Sequence, residues 1–278
     1  MSSYLYDQTY IRDQAWTSER ERLRALEEMF DESTARRLAE VGVAPGWRCL
    51  EVGCGGGTVA RWLAERVGRD GHVVATDVDP RFMANDGLDN LEVRRHDIAS
   101  DPLEEGAYDL VHARAVLEHV AGREQALARM VAAIKPGGWV VVEAGHLGGA
   151  MHQAQMQYVY PSEQAALVER VMGTLLGLMA TVGFDGGFGP RLPDALLAAG
   201  LVNVGAELHG PLTWGGERNW GYLSARGALA NELVRTRVLD AGLLTEEELG
   251  RFVALTADST FAALWVPMVT AWGQRPQP

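Results

Sequence analysis

Residues 50–61 read LEVGCGGGTVAR, and this stretch decides the fold. An apolar run ends at Val52, glycine occupies four of the next five positions, and a helical pattern begins at Thr58. Glycine permits positive φ angles and a close approach to the backbone, and the first N–H groups of a helix have no partner within that helix. The order of strand, glycine turn and helix therefore predicts a ligand-binding loop.

Three ligand classes use a glycine-rich turn, and the residues here discriminate between them. A phosphate-binding P-loop needs a lysine after its last glycine, and none follows Gly57. A dinucleotide fingerprint needs glycine where Thr58 stands. The pattern Glu51-x-Gly53-x-Gly55-x-Gly57 places an acid two residues before the first glycine, which suits a ligand that carries positive charge. A tight turn without a ligand is the remaining alternative.

The composition describes a globular protein with an excess of acidic residues. The 278 residues suffice for one large or two small domains, and 47% hydrophobic against 22% charged residues allows a proper core. A net charge of −12 argues against nucleic acid or anionic membranes as partners and favours a small, neutral or cationic substrate. We expect Cys49 and Cys54 to be reduced packing residues. The lack of a long apolar run or a secretory signal predicts a cytoplasmic protein.

Apolar strand-like runs alternate with helical patterns from residue 47 to residue 144. This alternation predicts an α/β fold with a mostly parallel, doubly wound sheet, which binds ligands beyond the carboxyl ends of its strands. Asp77 ends the second predicted strand, 24 positions after Gly53 (77 − 53 = 24). That spacing is close to the roughly 20-residue offset at which an acid meets a ribose in nucleotide-binding folds. Val78 offers an apolar side chain to an adenine ring. Helix capping or turn formation is the alternative role for Asp77.

Five motifs within residues 47–144 resemble those of the class I S-adenosylmethionine-dependent methyltransferases. They are the E-x-G-x-G-x-G pattern, the acids that end the second and third predicted strands, AYDLVHARAVLEHV and IKPGGWVVVEAG. The resemblance implies a seven-stranded Rossmann-like sheet whose last part is a helix and two antiparallel strands. It implies S-adenosylmethionine as the cofactor and S-adenosylhomocysteine as its product. It also implies that Asp97 accepts from the adenine amino group and that Ile98 donates its backbone N–H to the ring. Asp97 has the same capping alternative as Asp77.

The resemblance assigns ten residues to cofactor binding. Among them Arg114, at the end of the fourth predicted strand, is expected beside the methionine part of the cofactor. Its alternative is an ion pair with Glu118, four residues on in a helix. The full set is Glu51, Gly53, Cys54, Gly55, Thr58, Asp77, Val78, Asp97, Ile98 and Arg114.

We expect a single domain over residues 1–278, with residues 46–145 as the cofactor-binding core. Residues 1–45 are expected to form a helical lid over the cofactor, or a helix packed on the sheet edge. Two inserts, residues 146–189 and 214–259, are expected to cap the core and form the substrate pocket. A continuous helix AVLEHVAGREQALARMVAAI is expected after the fourth strand, and FAALWVPMVTAWGQRP is expected to hold the last strand.

Methyl transfer from a sulfonium needs the acceptor and the methyl carbon held in line, and a base if the acceptor carries a proton. His119, after the fourth strand, and His146, after the fifth, are the candidate catalytic residues because imidazole titrates near neutral pH. A hydrogen-bonding role for His119 and a plain loop position for His146 are the alternatives. No His, Cys, Asp or Glu cluster has metal-ligand spacing, so no metal site is predicted.

The sequence therefore predicts methyl transfer to oxygen, nitrogen or carbon of a small metabolite, by a monomer or homodimer. Natural-product tailoring in high-GC actinobacteria is the setting that similar sequences suggest. One rival hypothesis is a protein of the same fold that binds the cofactor but catalyses another step, such as a cyclisation. The other is an NAD-dependent oxidoreductase, which Thr58, Glu51 and the lack of a Tyr-x-x-x-Lys pair oppose.

Overall fold

The computed structural model describes residues 15–83, 87–216 and 232–278. Part of the expected lid, residues 1–14, and part of the second expected insert, residues 217–231, lie outside these ranges. Within the described ranges, no helix combines the length and the apolar composition needed to cross a membrane.

Seven strands form the main sheet: β1 (Arg48–Val52), β2 (His72–Asp77), β3 (Leu91–Arg95), β4 (Tyr108–Arg114), β5 (Ile134–Gly145), β7 (Val202–His209) and β10 (Met268–Gln274). Their order is β3-β2-β1-β4-β5-β10-β7. Strands β1 to β5 run parallel, and β10 is antiparallel to both β5 and β7. The predicted mostly parallel, doubly wound α/β fold is confirmed. The winding reverses between β1 and β4, so a ligand is expected above their carboxyl ends.

Eight helices are described: α1 (Ala15–Glu40), α2 (Thr58–Val67), α3 (Arg123–Ala133), α4 (Gly149–Gln155), α5 (Ala165–Thr181), α6 (Leu192–Ala198), α7 (Glu232–Asp240) and α8 (Glu246–Ala257). Successive side chains of a strand point to opposite faces of the sheet, so each buried strand feeds two cores. On one face, Leu38 of α1 and Leu63 of α2 share a buried cluster with strand residues. On the other face, Met130 of α3 and Leu196 of α6 do the same.

A second, smaller sheet holds β6 (Val159–Tyr160), β8 (Leu212–Trp214) and β9 (Ala262–Leu264), in the antiparallel order β6-β9-β8. One hydrophobic cluster joins it to three helices, through Val168 of α5, Val238 of α7 and Phe252 of α8. We refer to α4, α5, α7, α8 and the small sheet as the cap. Residues of both expected inserts therefore share one core.

Two local predictions are wrong. The helix expected after the fourth strand does not begin at Ala115, because Ala115 has a φ of 56° and only a single 3-10 turn, Leu117–His119, precedes α3 at Arg123. The expected last strand is split, with β9 in the small sheet and β10 in the main sheet. Pro267 lies between them, where its missing N–H cannot join a ladder. Its carbonyl accepts from the backbone N–H of His146 at 2.7 Å.

Candidate active site

The loop between β1 and α2 needs glycine for two reasons. Gly53 and Gly57 have φ angles of 70° and 86°, in the region that favours glycine. A Cβ at Gly53 would lie 2.2 Å from Cγ2 of Val116, and one at Gly57 would lie 1.7 Å from Sδ of Met83. The chains that follow β2 and β4 thus pack directly on the loop, and a side chain at either glycine would displace them.

Asp77 ties this loop to the end of β2. Its Oδ2 accepts from the backbone N–H of Gly55 at 3.0 Å, and its Oδ1 accepts from the backbone N–H of Asp79 at 2.9 Å. Burial raises the pKa of Asp77 above its ordinary value. Val78, the next residue, is partly buried. The carboxylate therefore stands beside the glycine turn, and it forms a turn as the alternative role anticipated.

Asp97 and Ile98 follow β3. Oδ1 of Asp97 accepts from the backbone N–H of Ala99 at 2.7 Å, and the backbone N–H of Asp97 donates to Asp101 at 2.9 Å. Ile98 is 2% exposed and packs in the core under α3, while its carbonyl accepts from Arg129 at 3.0 Å. The third predicted strand end is thus also a tight turn at the carboxyl edge of the sheet.

Glu51 lies in a buried polar row that crosses four strands. Its Oε2 lies 2.6 Å from Nδ1 of His112, whose Nε2 lies 3.1 Å from Oε1 of Glu143. The hydroxyl of Thr270 on β10 donates to Oε2 of Glu143 at 3.1 Å. All four residues are at most 3% exposed. The Glu51 carboxylate is therefore bound to a side chain on β4.

The charges within this row compensate one another. Burial alone would lower the pKa of His112, but Glu51 and Glu143 outweigh it and raise that pKa to about 9. Burial raises the pKa of Glu51, whereas hydrogen bonding and attraction to His112 outweigh burial at Glu143 and lower its pKa. At neutral pH a His112 cation thus faces a Glu143 anion, which limits the cost of burying either charge.

Helix α1 is bonded to the carboxyl edge of the sheet through Arg114. The guanidinium of Arg114 donates to Oγ1 of Thr34 at 2.9 Å and to Oδ1 of Asp31 at 2.8 Å. The same Asp31 oxygen accepts from the hydroxyl of Thr58, the first residue of α2, at 3.2 Å. Arg114 therefore pairs with α1 rather than with Glu118, because residues 114–118 do not form the helix that this spacing required.

The face of α1 that carries Asp31 also covers the glycine loop, through residues one and two turns before Asp31. Leu23 and Glu27 precede Asp31 by eight and four residues, so the three share one helix face. A Cβ at Gly55 would lie 3.0 Å from Cδ2 of Leu23, and one at Gly56 would lie 2.3 Å from Oε1 of Glu27. Helix α1 thus contacts the backbone of the loop itself.

The two candidate catalytic histidines have depressed pKa values. His119 is partly buried, and its ring centroid lies 4.9 Å from that of Phe184. Burial, with two nearby arginines, lowers the pKa of His119 to about 3. Burial also lowers the pKa of His146, which lies just beyond β5. Both imidazoles are neutral at pH 7, and His119 is a weak base there.

Glu118 is a third acid–base candidate, which the sequence indicated only as an alternative partner of Arg114. Its Oε1 accepts from the backbone N–H of Gly145, the last residue of β5, at 3.0 Å. Its Oε2 is buried and has no hydrogen-bond partner among the described residues. Burial raises the pKa of Glu118 to about 7. A carboxyl that titrates near neutral pH, at the ends of β4 and β5, suits proton transfer.

Comparison with known proteins supports the reading of the core. Residues 50–140 match the model of a methyltransferase domain. The chain carries a methyltransferase domain. The match begins in β1 and ends in β5, so it spans the glycine loop and the ends of β2, β3 and β4.

Curated relatives match a little over a third of the chain. An uncharacterised protein of a Streptomyces fradiae transposon is 37% identical over 110 residues, which cover 38% of this chain and 32% of the relative. A ubiquinone/menaquinone biosynthesis C-methyltransferase from Laribacter hongkongensis is 33% identical over 112 residues, which cover 38% of this chain and 46% of the relative. The chain thus spans less than half of either relative.

Solved structures share the fold over a longer part of the chain. The YcgJ protein of Bacillus subtilis matches with a TM-score of 0.58 and 10% identity, over 89% of this chain and 100% of its own. A phosphoethanolamine N-methyltransferase from Haemonchus contortus, solved with S-adenosylhomocysteine, matches with a TM-score of 0.58 and 14% identity, over 100% of this chain and 61% of its own. At these identities the likeness concerns the fold alone. Among the described residues, no three His, Cys, Asp or Glu side chains are grouped to hold a metal ion.

Proposed function

We propose that this protein transfers the methyl group of S-adenosylmethionine to a small-molecule acceptor. The observation that carries the proposal is the bond between Asp77 and the backbone of Gly55, inside the segment that matches a methyltransferase domain. It places a carboxylate and a glycine turn side by side at the carboxyl edge of the sheet, where such folds bind nucleotides.

The residues at this edge fit a nucleoside with an amino-acid tail. Positive φ angles at Gly53 and Gly57 keep the loop free of side chains, so a ligand can approach the backbone closely. Asp77 would accept from the ribose hydroxyls beside Val78, and Asp97 with Ile98 would hold the adenine. When bound, the cofactor supplies an already activated methyl group, and the protein must position the acceptor and exclude water.

Two residues of the predicted cofactor-binding set, Glu51 and Arg114, are bonded to other side chains of the protein. Glu51 is bonded to His112, so its carboxylate is directed toward β4 rather than toward a ligand. Glu51 therefore gives little preference for a positively charged ligand, and the methyltransferase match is the better ground for preferring the sulfonium donor over NAD. Arg114 is bonded to α1, where it would hold that helix at the methionine end of the site.

Helix α1 serves as the lid in this proposal. Its support is the stripe Leu23, Glu27 and Asp31, which contacts the glycine loop and the start of α2. Arg37, two turns further on, pairs with Glu207 of β7 at 2.6 Å. The lid is therefore fixed at its far end and meets the cofactor loop with its earlier turns.

Glu118 is the preferred proton acceptor among the three candidates at the ends of β4 and β5. Its pKa near 7 lets it take a proton at neutral pH, whereas His119 with a pKa near 3 binds one too weakly. His146 stays a candidate because it is partly exposed at the edge of the sheet. Cytoplasmic location, natural-product tailoring and oligomeric state remain predictions from the sequence.

Transfer of labelled methyl separates this function from mere binding. The protein is incubated with methyl-labelled S-adenosylmethionine and a panel of phenols, amines and enols, and products are separated by mass. We expect label in an organic product and equimolar S-adenosylhomocysteine, both reduced in Asp77→Ala when the donor is not saturating. Tight binding of S-adenosylhomocysteine with all label left in the donor would instead favour the same-fold protein that catalyses another step.

A further inference from the structure

A small pocket lies in the cap between α4, α5 and β9. Most of its lining is apolar, with Val168, Met172 and Leu176 of α5 along one side. Two polar side chains of α4, His152 and Gln155, also line it. The lining includes Leu147, which follows the last residue of β5 by two positions. The pocket therefore begins next to the carboxyl edge of the main sheet.

The amide of Gln155 is held in a fixed orientation. It is 4% exposed, and its Nε2 donates to the carbonyl of Trp265 at 2.7 Å and to that of Leu264 at 3.2 Å. Carbonyl oxygens only accept, so the nitrogen of the amide must face them. The oxygen Oε1 is thereby turned away from both carbonyls, and it has no hydrogen-bond partner among the described residues.

A buried acceptor without a donor costs free energy, and a ligand that brings a donor recovers it. We infer that this pocket binds the acceptor substrate, as an uncharged, largely apolar molecule whose hydroxyl or N–H group donates to Oε1 of Gln155. The inference rests on the proposed function, since it names the class of acceptor. Among the described residues, no acidic or basic side chain lines the pocket apart from His152, which fits an uncharged ligand.

The pocket also lies close to the candidate base. Leu147 connects the two places, because a Cβ at Gly145 would lie 3.4 Å from Cδ1 of Leu147 and 3.7 Å from Oε1 of Glu118. An acceptor that extends from Gln155 past Leu147 would thus approach the Glu118 carboxyl and the ends of β4 and β5. This places the reacting end of the acceptor at the cofactor edge and its apolar body in the cap.

In this structure the pocket is small. Its free space is about 10 Å³, which is enough for a single water molecule. Met156 and Met172 are part of the wall, and thioether side chains have three rotatable bonds and adapt readily to a ligand. An acceptor therefore enters by displacing these two side chains.

Phenol and toluene test this inference, because they are similar in size and only phenol can donate to Gln155. Their dissociation constants are measured by ligand-observed NMR for the wild type, for Gln155→Leu and for Gln153→Leu, an exposed position on the same helix. We expect the wild type to prefer phenol by about fivefold, the worth of one neutral hydrogen bond. That preference should vanish in Gln155→Leu and persist in Gln153→Leu.

A second measurement uses the wild type alone, so it does not require the Gln155→Leu variant to fold. In the wild type, the assigned side-chain amide resonances of Gln155 should shift on addition of phenol, and by more than they do at the same occupancy of toluene. Equal affinities for both probes, binding of neither, a preference that survives Gln155→Leu, or unmoved Gln155 resonances would each overturn the inference.

Binding of S-adenosylhomocysteine, measured on the same samples, keeps the two proposals apart. If it binds while phenol and toluene are not distinguished, only the acceptor pocket fails. If phenol is preferred through Gln155 while S-adenosylhomocysteine does not bind, the pocket stands as a ligand site and the proposed function fails.

Discussion

Nδ1 of His112 lies 2.6 Å from Oε2 of Glu51, and both side chains are buried. The two residues are directly opposite in the β1–β4 register, while His112 reaches diagonally to Glu143 on β5. The central strands are thus linked by side chains just below the glycine loop. A one-residue slip of either strand would turn these groups to the opposite, apolar face, so the row also helps to fix the register.

This row makes stability depend on pH in the alkaline range. The pKa of His112 is raised from an ordinary 6.5 to about 9 in the folded protein. The stabilisation is therefore complete below pH 6.5 and is lost as pH rises through 9. By linkage the loss amounts to about 3 kcal/mol. We expect the free energy of unfolding, from urea titrations, to fall over this range.

Two variants test whether His112 causes the fall of the free energy of unfolding with pH, which we call the pH slope. His112→Gln should flatten it and destabilise the protein at pH 7, because Glu51 and Glu143 lose the cation between them. His72→Gln, at a partly exposed position on β2, should keep the wild-type slope. An equally steep fall in His112→Gln would show that His112 is not its source.

Asp77 should govern cofactor affinity. Asp77→Ala removes the carboxylate proposed for the ribose and the acceptor that holds Gly55. We expect S-adenosylhomocysteine to bind more weakly by roughly 1.5–3 kcal/mol, about ten- to a hundredfold. Asp79→Ala, two residues on, removes a surface pair with Arg81 and should leave affinity near that of the wild type. Equal effects of the two changes would exclude the ribose role of Asp77.

The sequence was informative about the main sheet because its signals are local. Strands β1, β2 and β5 contain apolar runs that end at a glycine or an aspartate, and Asp77 and Asp97 mark strand ends by position alone. The partners of Glu51 and Arg114 could not be found in this way. His112 and Asp31, which lie 61 and 83 residues from them, come into contact only through sheet order and the packing of α1.

Asp31 should hold α1 against the cofactor loop. It accepts from both Arg114 and Thr58, so Asp31→Ala leaves the largely buried Arg114 with only its bond to Thr34 from α1. We expect a loss of about 1–3 kcal/mol in the free energy of unfolding. Backbone amides of α1 and the glycine loop should exchange hydrogen faster.

Glu28→Ala, at an exposed position on the same helix, provides the control. It should leave hydrogen exchange in the glycine loop unchanged. If Asp31→Ala also leaves that exchange unchanged, α1 does not depend on this contact for its position over the loop, and the lid proposal loses its support.

Glu118 should titrate near neutral pH. Carbon-13 NMR of side-chain carboxyls should show one glutamate with a midpoint near pH 7, absent in Glu118→Gln and present in the exposed control Glu124→Gln. Because the folded pKa is raised from 4.5, the associated stabilisation is present below that value and is lost as pH rises through 7. A midpoint near 4.5 would remove Glu118 as the preferred base.

The positions of Glu118 and Gln155 in their sites could not be predicted from the sequence. Helical periodicity through residues 115–134 predicted a continuous helix and gave Glu118 no special place. The left-handed residue Ala115 and the turn after it bring Glu118 back onto β5 instead. Gln155 is one of several polar residues in a Met- and Gln-rich stretch. Its burial and its bonds to the last residue of β9 and to Trp265 distinguish it from exposed Gln153.

Calorimetric titration with S-adenosylhomocysteine, set beside NAD, NADP and ATP, tests the central proposal most directly. We expect micromolar binding of S-adenosylhomocysteine alone, weakened in Asp77→Ala and retained in Asp79→Ala. Binding of NAD in its place, or of none of the four ligands, would contradict the assignment of the glycine loop and Asp77 to a methyl donor.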